Sequence, residues 1–206
     1  HHLPAQDRQG MRLHLVRSSD LFGPQDRMDE LASAGRINAT TFAAPHTITD
    51  YTGRPHFSEL FDLFLPDRLN ILANADIYFD VSSRLDALEG MPTGTVAALS
   101  RWEVGEGAPF LHDRPDSQDA WIHYGRLPVI PDAPYPLGVP GCDNAIAHAL
   151  SACGLLVVNP SRTVRAYHLH RSKHRSYLSG GRKVYRIPPP YLTIPPSALL
   201  AEDFDR

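Results

Sequence analysis

The run Asn70 to Phe79 (NILANADIYF) is the segment that most restricts how this chain can fold. Its nearly continuous apolar character predicts a buried strand, and strands of that kind belong to sheets covered on both faces. Near its end the run carries Asn74-Ala75-Asp76. Alternate side chains of a strand share a face, so an amide and a carboxylate would stand side by side there. Oxygen ligands of this type suit a hard divalent cation, Mg²⁺ or Mn²⁺, which in turn neutralises a diphosphate. The same two residues could instead end the strand by bonding backbone in a turn.

Strand-like and helix-like segments alternate around this run. Met11 to Val16 (MRLHLV) predicts a strand, Pro24 to Ala34 a helix that starts at proline and stops at Gly35, and Ile37 to Ala43 a second strand. After a Pro/Gly/Thr loop, Phe57, Leu60, Phe61 and Phe64 recur at helical spacing within Phe57 to Leu65. Thr95 to Trp102 (TVAALSRW) predicts another strand. Cys142 to Cys153 predicts a helix opened by Asp143 or Asn144 and closed by Gly154, leading into a strand from Leu155 to Val158. The expected architecture is α/β: a three-layer α/β/α sandwich with a mainly parallel central sheet, over residues 11–184. Ligands of such sheets bind outside the carboxyl ends of the strands, where Asn74 to Asp76 would lie. Residues 1–10 read as a tag or linker remnant. Residues 185–206 read as an extended tail, because Pro188, Pro189, Pro190, Pro195 and Pro196 fix φ and donate no hydrogen bond. Such a tail could strap the domain or reach a second copy of the chain.

A formal charge of −3 over 206 residues gives no general pull toward nucleic acid or an anionic membrane. The stretch 162–186 is locally basic, with Arg162, Arg165, Arg171, Lys173, His174, Arg175, Arg182, Lys183 and Arg186; a solvated face or a phosphate-binding surface would both account for it. Cys142 and Cys153 set no disulfide framework and read as thiols of a reducing compartment. No stretch approaches the ~18 apolar residues of a membrane span, and the expected location is cytoplasmic.

Four further segments join the ILANADIYFD strand: Ala98 to Glu103 (ALSRWE), Ser117 to Ile122 (SQDAWI), Gly138 to Asn144 (GVPGCDN) and Tyr167 to His170 (YHLH). In this order they resemble a group of bacterial glycosyltransferase-like proteins of the GT-A type, the Rossmann-related nucleotide-diphospho-sugar transferase fold, over roughly residues 11 to 178. The resemblance implies transfer of a hexose from a nucleotide-sugar donor to a glycan or lipid-linked acceptor in surface polysaccharide assembly, assisted by Mn²⁺ or Mg²⁺. It sets Asn74-Ala75-Asp76 where that fold carries an Asp-any-Asp metal motif, with Asn74 as a departure that removes one charge. His168 or His170 resembles the histidine that completes the metal site. Asp143 resembles the general base of inverting members. Arg17, at the end of the first strand, and Arg165 are the expected donor-binding cations. Arg101, Trp102, Glu103, Asp119 and Trp121 are the expected acceptor side.

Each assignment has a plainer counterpart. Asp143 before Asn144 is a good helix cap, Trp102 and Trp121 suit a core, Asp119 could anchor a loop, and His168 and His170, sharing a face, could simply pack. Two other functions fit the same residues. Asp76, Asp119, Asp143, His168 and His170 could form a metal-dependent hydrolase site. A transferase-like domain that only binds glycans or scaffolds a larger enzyme would also explain Asn74.

Overall fold

The computed structural model describes residues 13–18, 46–51, 53–74, 76–131, 135–169 and 185–199. These fall into two units, 1–55 and 56–206. In the first, β1 (Leu13–Ser18) pairs in parallel with β2 (His46–Tyr51). The first expected strand is therefore present, while β2 replaces part of the expected loop. The helix over 24–34 and the strand over 37–43 lie outside the described residues.

The second unit is built on two mixed sheets. One has the order β3–β8–β5–β9, from β3 (Leu69–Ala73), β5 (Thr95–Leu99), β8 (Ala120–Tyr124) and β9 (Leu156–Val158). β8 runs antiparallel to both β3 and β5, and only β5 with β9 is parallel. The other has the order β4–β10–β6–β7, from β4 (Ile77–Tyr78), β6 (Arg101–Glu103), β7 (Phe110–Leu111) and β10 (Ala166–His168). The expected three-layer sandwich with a mainly parallel sheet is thus overturned. A parallel neighbour needs a long crossover, usually a helix, and the chain between β4 and β5 offers only two short 3₁₀ turns, Val81–Ser83 and Leu85–Leu88. Beside α1 (Phe57–Phe61), shorter than its apolar spacing predicts, the described residues hold one longer helix, α2 (Cys142–Ala152).

Strand alternation divides the core. Val96, Ala98 and Trp121 face one cluster with Phe57, Phe61, Ile146 and Leu150, under α2. Ala97, Leu99, Ala120 and Ile122 face the other, with Leu88, Met91, Val164 and Ala166. The β5 sequence TVAAL therefore reads as a run with no polar face, since both of its faces are covered.

Both segments read as single strands are broken where the chain changes sheets. Asn70 to Phe79 divides into β3 and β4 at 74–76, and Thr95 to Trp102 divides into β5 and β6 at Ser100. Ser100 is fully buried, its hydroxyl donating to the Ser117 carbonyl at 2.9 Å and its backbone N–H to Asn159 Oδ1 at 3.2 Å. Backbone bonds join the switches: Asp119 N–H donates to Leu99 O at 2.8 Å and Asn74 N–H to Asp119 O at 3.1 Å.

The proline segment 185–199 is extended, as its composition predicts, and it packs on its own domain. Ile187 and Ile194 are buried in the α2 cluster. Backbone bonds run from Ile187 N–H to Pro140 O (3.0 Å), Leu192 N–H to Asn144 O (3.0 Å), Ile194 N–H to Pro115 O (2.8 Å) and Ser197 N–H to Asn159 O (2.8 Å). Each buried isoleucine contributes about 1.5–3 kcal/mol.

Candidate active site

A cleft of 360 Å³ opens beside the sheet switches. Phe57 and Trp121 close its inner end, packed edge to face with ring centroids 5.6 Å apart. Asn74, Arg101, Asp119 and Asp143 form its polar wall, and Arg114, Asp116 and Arg186 stand around its more exposed rim.

Asp119 organises the wall. Its Oδ1 accepts from Asn74 Nδ2 at 3.0 Å and its Oδ2 from Arg101 Nη1 at 3.0 Å. Arg101 also donates from Nε to Glu103 Oε1 at 2.6 Å and from Nη1 to Ser117 Oγ at 3.3 Å. Burial opposes its charge, but the Asp119 and Glu103 carboxylates outweigh burial and hold the guanidinium firmly protonated. His112, also lining the cleft, is shifted toward its neutral form by burial and by Arg101.

Asp143 lies in the first turn of α2. The N-cap is Gly141, with φ +87°, so the helix does not open on Asp143 or Asn144 as its sequence suggests. Freed from capping, the Asp143 side chain reaches the cleft. Burial first, and then the charge of Asp119, push its carboxyl up to about 7; the Cys142 thiol, donating at 3.4 Å, and the Gln118 backbone N–H offset part of this. Cys142 itself is an inert thiol, since burial and Asp143 raise its pKa.

The Asn74–Asp76 pair does not form. The turn between β3 and β4 sends Asn74 to Asp119 in the cleft and Asp76 to the second sheet, where its Oδ2 lies 3.1 Å from His168 Nε2. The other ring nitrogen of His168 lies 2.7 Å from Glu103 Oε2. Burial lowers the pKa of His168, but the two carboxylates outweigh burial and raise it, favouring an imidazolium. Glu103 responds in the opposite sense: burial raises it, and His168 with Arg101 bring it below the usual carboxylate range. Among the described residues no group of three or more His, Cys, Asp or Glu side chains is placed to hold a metal ion. The expected Asn74–Asp76–His168 set does not fit one: Asn74 belongs to a different hydrogen-bond cluster, and both His168 nitrogens face carboxylates. His170 lies outside the described residues.

The remaining expected residues scatter. Arg17 is in β1 of the first unit, opposite Asp50 in register. Arg165 stacks on Trp102, 4.4 Å from guanidinium carbon to ring centroid, and the Trp102 indole N–H donates to Ser161 O at 2.8 Å. Neither lines the cleft. Glu103 does not line the cleft but holds Arg101, which does. The structure adds His112, Arg114, Asp116 and Arg186, which the sequence had not assigned; of these only Arg186 carried a signal, as the end of the basic stretch.

Among the described residues no helix is long and apolar enough to cross a membrane. Comparisons with protein-family models, with curated proteins and with solved structures find no match to the chain.

Proposed function

We propose that the cleft is the active site of a glycosyltransferase that works without a protein-bound metal. The observation that carries the reading is Asp143, a cleft-wall carboxyl held near neutrality beside an Asp119 tied to Arg101. A general base works best when its pKa lies near the working pH. In the proposed reaction an acceptor hydroxyl attacks the anomeric carbon of a nucleotide-sugar donor. The new C–O bond forms as the bond to the diphosphate breaks, the proton passes to Asp143, and the nucleoside diphosphate leaves with the electron pair. Arginines at the cleft answer that charge. The acceptor class, a glycan or lipid-linked sugar, rests on the motif resemblance.

The test combines binding and turnover. UDP-, GDP- and dTDP-sugars are screened for thermal stabilisation of the protein with and without Mn²⁺, since a ligand bound only to the native state raises the melting temperature. One nucleotide series should stabilise, equally with and without the metal. With that donor, Asp143→Asn should keep the shift and lose release of the nucleoside diphosphate. No response to any donor would defeat the reading. A binding-only cleft is the second reading, favoured by Arg101, whose charge two carboxylates already answer; it predicts stabilisation by a donor or free glycan with no turnover in the unmodified protein.

A further inference from the structure

The rim of the cleft has a composition the wall does not. Arg114 grips Asp116 with both arms of its fork, Nε to Oδ1 at 2.9 Å and Nη2 to Oδ2 at 2.7 Å. This grip holds the Asp116 carboxyl below its usual range, and the nearby charge of Arg186 adds to the effect. Two guanidinium groups therefore serve one carboxylate. Arg101 is not equivalent, being shared between Asp119 and Glu103.

Arg186 is aimed by the proline strap. Its guanidinium carbon lies 5.6 Å from the Tyr191 ring centroid, and its Nε donates to the Tyr191 hydroxyl at 3.3 Å. That hydroxyl in turn donates to Ile187 O, and Ile187 is buried in the core. The stem of Arg186 passes Gly141, where an added Cβ would lie 3.4 Å from its Cγ. The strap thus brings a long cation to the first turn of α2, which no side chain caps and which lines the same cleft.

We propose that Arg114 and Arg186 form a diphosphate clamp at the cleft rim, with Asp116 as the resident anion that the ligand displaces from the Arg114 fork. The identification of the diphosphate as that of a nucleotide sugar rests on the function proposed above; the clamp itself rests on the rim geometry. Guanidinium groups suit this task because their paired N–H groups match phosphate oxygens, and a surface Arg–Asp pair is weak enough to exchange.

The probe is inorganic pyrophosphate, titrated calorimetrically into the full chain at pH 7 and low salt. The unmodified protein should bind it, with affinity falling as salt rises. Arg186→Gln and Arg114→Gln should each weaken binding about tenfold or more, and Arg186→Lys should recover part of the loss, because lysine keeps the charge without the fork. Asp116→Asn should tighten binding, the opposite sign, and it serves should Arg186→Gln fail to fold. Absence of pyrophosphate binding, equal affinity in a folded Arg186→Gln, or weaker binding in Asp116→Asn would each overturn the clamp. Turnover of a nucleotide sugar with the clamp variants unaffected would sink the clamp and spare the transferase. Pyrophosphate binding with no turnover of any donor would do the reverse.

Discussion

At Asp143 the causes that suit the carboxyl to base chemistry also set it against the stability of the fold. Its pKa of about 7 stands above the value near 4 of an unfolded chain. Between those values the unfolded state has released its proton and the folded state has not, so this group's contribution to stability is full below about pH 4 and falls until about pH 7. A shift of this size corresponds to a few kcal/mol at most. Asp143→Asn keeps the neutral shape at every pH. It should therefore raise the melting temperature, and raise it more at pH 8 than at pH 5, while turnover is lost. An equal gain at both pH values would show that Asp143 is not the titrating group. His168 has the same sign at a higher pH, although there it is the charged form that the fold favours. Its raised pKa is a stabilisation present below about 6.5 and lost as pH climbs through the folded value, whereas that of Glu103 is present above its unfolded pKa and lost on acidification. Both hold together in the window between. His168→Gln leaves Asp76 and Glu103 facing a neutral amide, and it should cost about 1–3 kcal/mol in urea unfolding at pH 6, with a smaller cost at pH 9.

Among the elements, α2 was the most legible, because its apolar spacing and Gly154 mark its extent. Its first turn was not. Aspartate and asparagine at 143 and 144 satisfy every local preference for a cap, but the loop from 138 enters through Gly141 in the left-handed region, which moves the cap back and turns Asp143 inward. Gly141→Ala should be costly on two counts. A side chain at φ +87° costs about 1–2 kcal/mol, and the new Cβ would stand 3.0 Å from the Tyr191 hydroxyl and 3.1 Å from Ile187 O. A loss of at least about 2 kcal/mol in urea is expected; a loss below ~0.5 kcal/mol would mean that the strap yields freely there. The breaks at 74–76 and at Ser100 escaped the sequence for a related reason. An apolar run tells of burial, not of which sheet buries it, and Asn74 and Asp76 supplied both the polar pair that suggested a shared strand face and the turn that separates them. β8 was missed because Ala120, Trp121, Ile122 and His123 are all buried, so AWIHY has no polar face to betray its period. Its insertion between β3 and β5, which makes the sheet antiparallel there, is a choice between distant partners that no local pattern encodes. Asp119 and Arg101 entered through the motif resemblance, as expected acceptor-side residues, whereas Arg114 and Asp116 sit in a loop with no periodicity.

For the molecule as a whole, the status of residues 185–199 decides how the domain is bounded. A tail defined by its prolines reads as separable from the fold, yet the same segment places Ile187 and Ile194 in the cluster with Phe57, Ile146 and Leu150. It also accepts a hydrogen bond at Ile194 O from Asn159 Nδ2 at 2.9 Å, and Asn159 braces the Ser100 switch through Ser100 Oγ at 2.9 Å. Ending the chain at 184 would expose both isoleucine sites, take from the buried Asn159 amide one of its two acceptors, and remove Arg186 from the cleft. Two isoleucines at about 1.5–3 kcal/mol each and an unsatisfied amide N–H at about 1–3 kcal/mol together approach the 5–15 kcal/mol that hold an ordinary domain. The truncated protein should lose most of its urea midpoint or fail to unfold cooperatively, and the double substitution of Ile187 and Ile194 by alanine should reproduce much of that loss with Arg186 still present. An arm that merely reached for a second copy would leave the midpoint of the monomer unchanged on removal. The strap arrangement requires stability and pyrophosphate binding to fall together in the truncated chain, because one segment both completes the core and carries the rim cation.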